Sequence, residues 1–390
     1  MKAEIVIIGG GVIGASVAYH LTERGARDVL VLDRAASLGE GSTGKATGGV
    51  RAQFETDVNI RMSLYSIDFF QNWEHDAEYD PKGYLFLATN NLQLDYLNKT
   101  GDRQRELGYE GVHLVTQDEI AAMVPGMNVG DIVGGSFGPR DGFINPLSIL
   151  EGFIVGANSR GARILTSVDV NQIDVTAGRV TRVETSEGYI DCDQVVVANG
   201  AWSAGVASTV GIDLPVKPQR RQIVWAEAPE PLSPELPMVI DMKDGFHFRP
   251  AKDFTHGAAA DDPRAVLFAW PDPNEPVSFS TKFDEEFLLN VGDLASYRAP
   301  FLNGSRIIYE KCRAGLYENT PDHHPIIGGS EIDGLYFTCG FSGHGVMHSP
   351  AAGRALAEIM LDGRSNFLDV SMLSLDRFRT GDLLHETGYI

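Results

Sequence analysis

Short apolar runs broken by glycine alternate with longer stretches of helical period along much of the chain. Residues 4–8, apolar after Glu4, read as a strand, and Gly9-Gly10-Gly11 interrupts them. Residues 12–24 then place Ile13, Val17 and Leu21 on one face of a predicted helix, which Gly25 ends. A second apolar run, 29–32, stops at Asp33. Residues 194–198, with β-branched Val195-Val196-Val197 at their centre, run unbroken up to Asn199-Gly200, the pattern of a buried parallel strand entering a turn. Before it, residues 161–168, 172–175 and 180–185 read as short strands, with turns at Ala177-Gly178 and Glu187-Gly188. The middle of the chain differs. Residues 83–88, 221–227, 245–249 and 265–270 read as strands of a mostly antiparallel sheet, and the proline-rich stretches 229–237 and 271–276 as loops. Residues 335–338 give a last strand. Ser349 and Pro350 are predicted to be the N-cap and first turn of a helix running to about residue 361.

Chemistry enters with the first turn. Gly9, Gly11 and Gly14 have the G-x-G-x-x-G spacing, and Asp33 follows Gly14 by nineteen residues. Gly9 permits a tight turn, Gly11 lets a pyrophosphate approach the backbone, and Gly14 lets the helix pack on the strand. The helix N-terminus favours phosphate charge, and Asp33 can accept hydrogen bonds from an adenosine ribose. Glycine spacing alone also fits an ordinary strand–helix turn; the strand, helix and acid in register favour a dinucleotide site. A second glycine-rich turn, Gly340-Phe341-Ser342-Gly343-His344-Gly345, follows the last strand. A flexible loop before a surface helix would look similar. A simple nicotinamide enzyme does not need it, whereas a flavin does. The flavin ring lies far from its adenine, and backbone N–H groups at a helix N-terminus stabilise the negative charge it gains on reduction.

With 390 residues the chain can hold two domains. Both glycine turns must meet at one cofactor, so the nucleotide domain is expected to be discontinuous. The fold class is α/β (α+β overall): a Rossmann-like FAD-binding domain at 1–84, 141–215 and 318–372 with an inserted, mostly antiparallel β-sheet substrate domain at 85–140 and 216–317. Residues 373–390 are expected as a C-terminal tail. The 53 acids against 32 bases leave a net charge of −21, which argues against nucleic acid and anionic membranes as partners. No apolar run is long enough for a membrane span, and the N-terminus shows no basic region or cleavage site of a signal peptide. Cys192, Cys312 and Cys339 are scattered, with neither metal spacing nor a disulfide framework, which suits the cytoplasm. His323 and His324 are neighbours whose side chains should diverge, so no metal site is expected.

Taken together, these motifs resemble the FAD-dependent amino-acid and amine oxidases of the D-amino-acid oxidase superfamily, above all sarcosine oxidase of the β-subunit type. Dimethylglycine dehydrogenase, proline dehydrogenase and glycine oxidase are similar. The likeness covers nearly the whole chain. It is carried by the first glycine turn with Asp33, Gly41-Ser42-Thr43 through Arg51, Asp141-Gly142-Phe143-Ile144-Asn145-Pro146, and residues 195–202. Gly315-Leu316-Tyr317, Thr320-Pro321-Asp322 and residues 340–346 complete it.

The resemblance implies that Ser42 and Thr43 contact the pyrophosphate and that Gly48 and Gly49 run past the flavin ring. Val168 would lie near the adenine, and Gly200 and Trp202 would close over the nucleotide. Val12, Ile13, Arg34, Lys45, Thr47, Gly315, Gly340, Gly343, His344, Gly345 and Val346 complete the expected cofactor contacts. Arg51 matches the arginine that binds substrate carboxylate, and Tyr317 an aromatic residue of that pocket. Residues 246–249 match a strand facing the substrate, so His247 or Phe248 should be near it. Three departures matter. Covalent FAD attachment uses a cysteine where this chain has Gly315, or a histidine where it has Lys45, so non-covalent FAD is expected. A carboxylate-binding lysine is replaced by Met347; His348 could stand in for it or serve in the core. The oxygen-activating lysine has no counterpart in residues 266–270, which puts oxygen in doubt as acceptor.

Oxidising an amine needs hydride removal from a C–H beside nitrogen. The flavin accepts it, and the protein binds and orients. The carboxylate of an amino acid needs a cation, for which Arg51 offers a bidentate fork, although a solvated arginine is the plainer reading. His344 could donate to the flavin or be satisfied by carbonyls. Lys282, in an acid-rich segment, reads as a surface ion-pair residue. The expected function is FAD-dependent oxidation of the C–N bond of a small secondary or N-methyl amino acid, sarcosine-like, by hydride transfer to flavin N5. Its partners are that amine and either oxygen or another electron acceptor. Two alternatives stand beside it: a dehydrogenase of proline, glycine or a D-amino acid using a non-oxygen acceptor, and a flavin-fold binding protein without catalysis. The oligomeric state stays open.

Overall fold

A computed structural model describes residues 1–252 and 262–387. Residues 253–261 of the expected inserted sheet and 388–390 of the expected tail lie outside the described residues. The apolar run after the first residues forms the strand Ile5–Ile8, and the second run forms Val29–Leu32, with the bounds its apolar pattern predicts. They sit in a six-stranded sheet in the order Ile326–Gly329, Leu335–Cys339, Gln194–Val197, Ile5–Ile8, Val29–Leu32, Arg163–Leu165. The strands are parallel except Ile326–Gly329. Both faces are covered, which is why these strands read as unbroken apolar runs. One face carries the helices Val12–Glu23 and Gly345–Asp362, against which Asp57–Asn72 and Pro146–Ser159 pack. The other carries a small antiparallel sheet of Val170–Thr176, Arg179–Thr185 and Gly188–Asp191. The predicted strand at 161–168 is only Arg163–Leu165, which leaves Val168 in the loop beyond it.

A second sheet has nine strands. Its main path runs Arg306–Ile307, Lys217–Glu227, Ala265–Ala269, His247–Pro250, Met238–Asp241, Tyr84–Ala88, Gly134–Gly138, His113–Val115. Arg313–Asn319 pairs with Lys217–Glu227 off that path. Every pairing is antiparallel except Met238–Asp241 with Tyr84–Ala88. The proline-rich stretches are loops, as their composition predicts.

The helix after the second glycine turn corrects the sequence reading. It starts at Gly345 rather than at Ser349, and Pro350 lies inside it. Pro350 has no N–H to give the Val346 carbonyl. The Ser349 hydroxyl donates to that carbonyl instead, at 2.8 Å. The Ser349 carbonyl in turn accepts from Ser16 Oγ, 2.7 Å away on the first helix. The two helices touch so closely that a Cβ at Gly353 would stand 2.2 Å from Ser16 Oγ. The last stretch of chain packs back onto the body. Arg377 is buried, and its Nε donates to Asp322 Oδ2 at 2.7 Å. Among the described residues no helix is long and apolar enough to cross a membrane.

Candidate functional site

The carboxyl ends of the parallel strands and one face of the second sheet enclose a cavity of about 880 Å³. Its first wall is the glycine turn. Gly9 has φ +108°, and a Cβ there would stand 2.5 Å from the Ala198 carbonyl oxygen. A Cβ at Gly14 would stand 1.9 Å from the Gly9 carbonyl oxygen, so Gly14 is a packing residue beneath the turn rather than part of the wall. A Cβ at Gly11 would stand 3.4 Å from Thr43 Oγ1, which accepts from Val12 N–H at 3.1 Å. Asp33 Oδ2 accepts from Gly10 N–H at 2.7 Å and Oδ1 from Ala35 N–H at 2.8 Å. Each oxygen keeps acceptor capacity for a hydroxyl. The Arg34 guanidinium lies 3.7 Å over the Trp202 ring, which stacks on Phe279. Val168 and Gly200 complete this end.

The chain then runs along the cavity through Ser42, Thr43, Lys45, Thr47, Gly48 and Gly49. Ser42 Oγ donates to the Leu316 carbonyl at 2.7 Å, tying this loop to the strand that carries Gly315 and Tyr317. Gly315 and Lys45 face each other: a Cβ at Gly315 would stand 3.2 Å from Lys45 Cβ. Gly49 is required by Tyr84, whose hydroxyl would be 1.9 Å from a Cβ there. The far wall is the second glycine turn, with His344, Gly345, Val346 and Met347 at the N-terminus of the long helix. Gly343, at φ +96°, lies flat against Tyr317, whose ring would be 2.4 Å from an added Cβ. Gly340 bends the chain at φ +75° against Thr320 and does not border the cavity.

Arg51 is only 4% exposed, yet it lines the cavity. Its guanidinium donates to the Gln53 carbonyl and lies 3.8 Å over the Phe54 ring. Buried Asp141 anchors the segment that carries it. Asp141 Oδ1 accepts from Ala52 N–H at 2.7 Å and Tyr109 OH at 2.8 Å, and Oδ2 accepts from Gln53 Nε2 at 3.0 Å. Burial raises the Asp141 carboxyl to about 6, against the pull of these donors and of Arg51. His247 borders the cavity, and the Gly245 carbonyl lies 2.9 Å from its Nδ1. That contact favours the Nδ1–H tautomer, leaving Nε2 as the ring acceptor. Burial lowers the pKa of His247, and that of His344 far more, so both rings are neutral.

Two expected substrate residues lie elsewhere. Phe248 turns to the opposite face of the sheet, into a core with Phe246, Phe268 and Phe301, because successive strand residues alternate faces. His348 sits behind the wall. Its Nε2 is 2.8 Å from Ser63 Oγ, and burial lowers it to about 3, so it is no substitute cation. Met347 does line the cavity, leaving that place without a charge. Lys282 is exposed and does not line the cavity; its carbonyl accepts from Arg220.

The cavity wall also holds residues that the sequence reading passed over. Arg221 projects from Lys217–Glu227, its guanidinium carbon 5.3 Å from the Tyr317 ring centroid. Glu318 follows Tyr317, and burial raises its carboxyl to about 7 against donation from the Gly340 and Phe341 N–H groups. Tyr84 and Thr338 complete the set. Charged residues beside apolar strand positions were the available signal. Among the described residues no cluster of His, Cys, Asp or Glu could hold a metal ion.

This cavity fits a flavin dinucleotide. Gly9, Gly11, Gly48 and Gly49 border it without side chains, an acid and a stacked arginine–tryptophan pair lie at one end, and a helix N-terminus lies at the other. The model of the FAD dependent oxidoreductase (DAO) family matches residues 4–359, and the chain belongs to that family, with FAD as its cofactor. It is 31% identical to FAD-dependent oxidoreductase domain-containing protein 1 of Xenopus laevis, over all of this chain and 85% of that protein. It is 28% identical to mitochondrial dimethylglycine dehydrogenase of Mus musculus, over 97% of this chain but 44% of that protein. Among solved structures, L-proline dehydrogenase from P. horikoshii matches with a TM-score of 0.88 at 28% identity, over 98% of this chain and 99% of that one.

Proposed function

We propose that this chain oxidises the C–N bond of a small secondary or N-methyl amino acid, with sarcosine as the simplest member of the class. The observation that carries this reading is that Arg51, His247 and Tyr317 line the same cavity as Gly48-Gly49 and the helix N-terminus at Gly345, with the Arg51 charge acting on both His247 and Tyr317. Bound FAD would supply the two-electron acceptor for a hydride leaving the C–H beside the substrate nitrogen. The residues named earlier at the two ends of the cavity, with Ser42 and Thr43 between them, would hold the cofactor. Arg51 would hold the carboxylate, its guanidinium fixed by Gln53 and Phe54. His247, a neutral ring, would accept a hydrogen bond from the N–H of a neutral secondary amine and orient its lone pair to form the C=N bond as the hydride leaves. Gly315 and Lys45 offer neither cysteine nor histidine, which supports non-covalent FAD. The names of the dimethylglycine and L-proline dehydrogenases support a secondary or N-methyl amine as substrate.

A second reading concerns the acceptor. The strand Ala265–Ala269 and the Trp270 that follows it carry no lysine where they meet the cavity, at Ala269 and Trp270, which favours a dehydrogenase passing electrons to something other than oxygen. Proline, glycine and D-amino acids belong in the same test. Two intact glycine turns around one cavity argue against a binding protein that has lost catalysis. Three unpaired cysteines support a reducing compartment such as the cytoplasm. The test is a flavin-bleaching screen with sarcosine, dimethylglycine, proline, glycine and D-amino acids, run with and without air. Anaerobic bleaching by an N-methyl or secondary amino acid supports the proposal. Slow return of colour in air, and rapid return with an artificial acceptor, supports the second reading. An FAD-loaded protein that none of these bleaches would refute both.

A further inference from the structure

The strand Lys217–Glu227 carries two adjacent arginines with opposite fates. Arg220 turns outward, and its Nε donates to Glu275 Oε1 at 2.9 Å. Arg221 turns into the cavity and makes no ion pair among the described residues. Its Nη1 donates to the Arg220 carbonyl at 3.2 Å, while its Nε is buried without a hydrogen-bond partner. Its cross-strand neighbour is Gly315, which has no side chain to fill the space beside it. The guanidinium lies toward Tyr317, and the charges of both Arg51 and Arg221 act on Tyr317 and on His247. Two fixed cations therefore border one small part of the cavity.

The acids nearby do not balance them. Asp141 lies beneath Arg51 and is occupied by Ala52, Gln53 and Tyr109. Glu318 points its carboxylate toward the Gly340 and Phe341 N–H groups and Gly200. His247, His344 and His348 are neutral. A substrate with one carboxylate would satisfy Arg51 and leave the Nε edge of Arg221 desolvated and unpaired. A half-buried guanidinium whose Nε is buried and unpartnered calls for an anion that can take two parallel N–H bonds.

We propose that the substrate is a secondary or N-methyl amino acid with two carboxylates, the α-carboxylate held by Arg51 and the second by Arg221, with Tyr317 between them. This rests on the amine-oxidation reading and narrows it.

The test compares sarcosine with N-methylaspartate and N-methylglutamate, which share the N-methyl group and differ in the second acid. On FAD-loaded protein, kcat/KM is expected to be at least about tenfold higher for one of the diacids than for sarcosine. In Arg221→Gln that preference should fall by at least about tenfold, and Arg221→Lys should keep part of it. The change should appear mainly in KM. Preference for sarcosine in the wild type would overturn the inference while leaving the oxidation reading intact. So would an Arg221→Gln variant that loses both activities in the same proportion or purifies without flavin, which would place Arg221 at the cofactor. If neither class bleaches the flavin, the oxidation reading itself falls, and the diacid assignment with it.

Discussion

Replacing Arg51 separates a substrate anchor from a cofactor contact. The guanidinium is buried, donates to the Gln53 carbonyl and is stacked 3.8 Å over Phe54, so two contacts fix its plane before substrate arrives. A carboxylate meeting that fork gains a charge-assisted bidentate contact worth roughly 1.5–3 kcal/mol. Lys in its place keeps the charge but has no fork and no planar face for Phe54. Arg51→Lys should therefore weaken substrate binding about 10- to 150-fold. Arg51→Ala should cost more, roughly 3–5 kcal/mol, because a carboxylate would be buried with its partner removed. FAD content should hold in both variants, since the glycine turn and Asp33 are built from other residues. The assay is the concentration dependence of anaerobic flavin reduction, for sarcosine and for dimethylamine, its decarboxylated counterpart. Both variants should lose the advantage of the amino acid over the amine. An equal slowing of both substrates, or loss of flavin, would refute the assignment and move Arg51 to the cofactor site.

Other predictions concern the cavity itself. Glu318 is raised in the folded protein from 4.5 to about 7, so the stability linked to it is complete below about pH 4.5 and lost as pH rises through about 7. Glu318→Gln should thus stabilise the apoprotein at pH 8 by at most about 3 kcal/mol, with a gain that shrinks toward pH 5; a gain independent of pH in thermal melts would contradict this. Gly14→Ala sets a Cβ 1.9 Å from a backbone oxygen that no rotamer can relieve, so the variant should purify without FAD; a yellow variant would show that the helix can retreat. Acid precipitation of the wild type should release the flavin into the supernatant; colour retained in the pellet would mean a covalent link.

Some of this was legible in the sequence because the constraint is local. Gly14 answers to the Gly9 carbonyl within its own turn, and residues 29–32 are apolar throughout because both faces of that strand are covered. Pro350 misled because the rule against interior proline is local, whereas its remedy, the Ser349 hydroxyl and the close approach of Ser16, comes partly from another helix. The choice between His247 and Phe248 turns on which face of the sheet meets the cavity, fixed by pairing with Met238–Asp241 and Ala265–Ala269. Arg220 and Arg221 look alike in sequence. Glu275 on one side and the bare Gly315 on the other decide which is an outward ion pair and which faces the cavity. The helix Asn91–Glu106 escaped notice because its sequence is largely polar, with only Leu97, Thr100, Gly101 and Gln104 buried.

The central claim is that one cavity holds FAD and a substrate amino acid together, with the C–H beside nitrogen facing the flavin. Anaerobic titration of the FAD-loaded protein with an N-methyl amino acid, deuterated at the carbon oxidised, tests it most directly. The account predicts that one equivalent of amino acid bleaches one equivalent of flavin, that the imine hydrolyses to the expected carbonyl product, and that the rate of bleaching falls on deuteration. A protein that binds the amino acid, as seen by a shift in its flavin spectrum, yet leaves the flavin oxidised would contradict it.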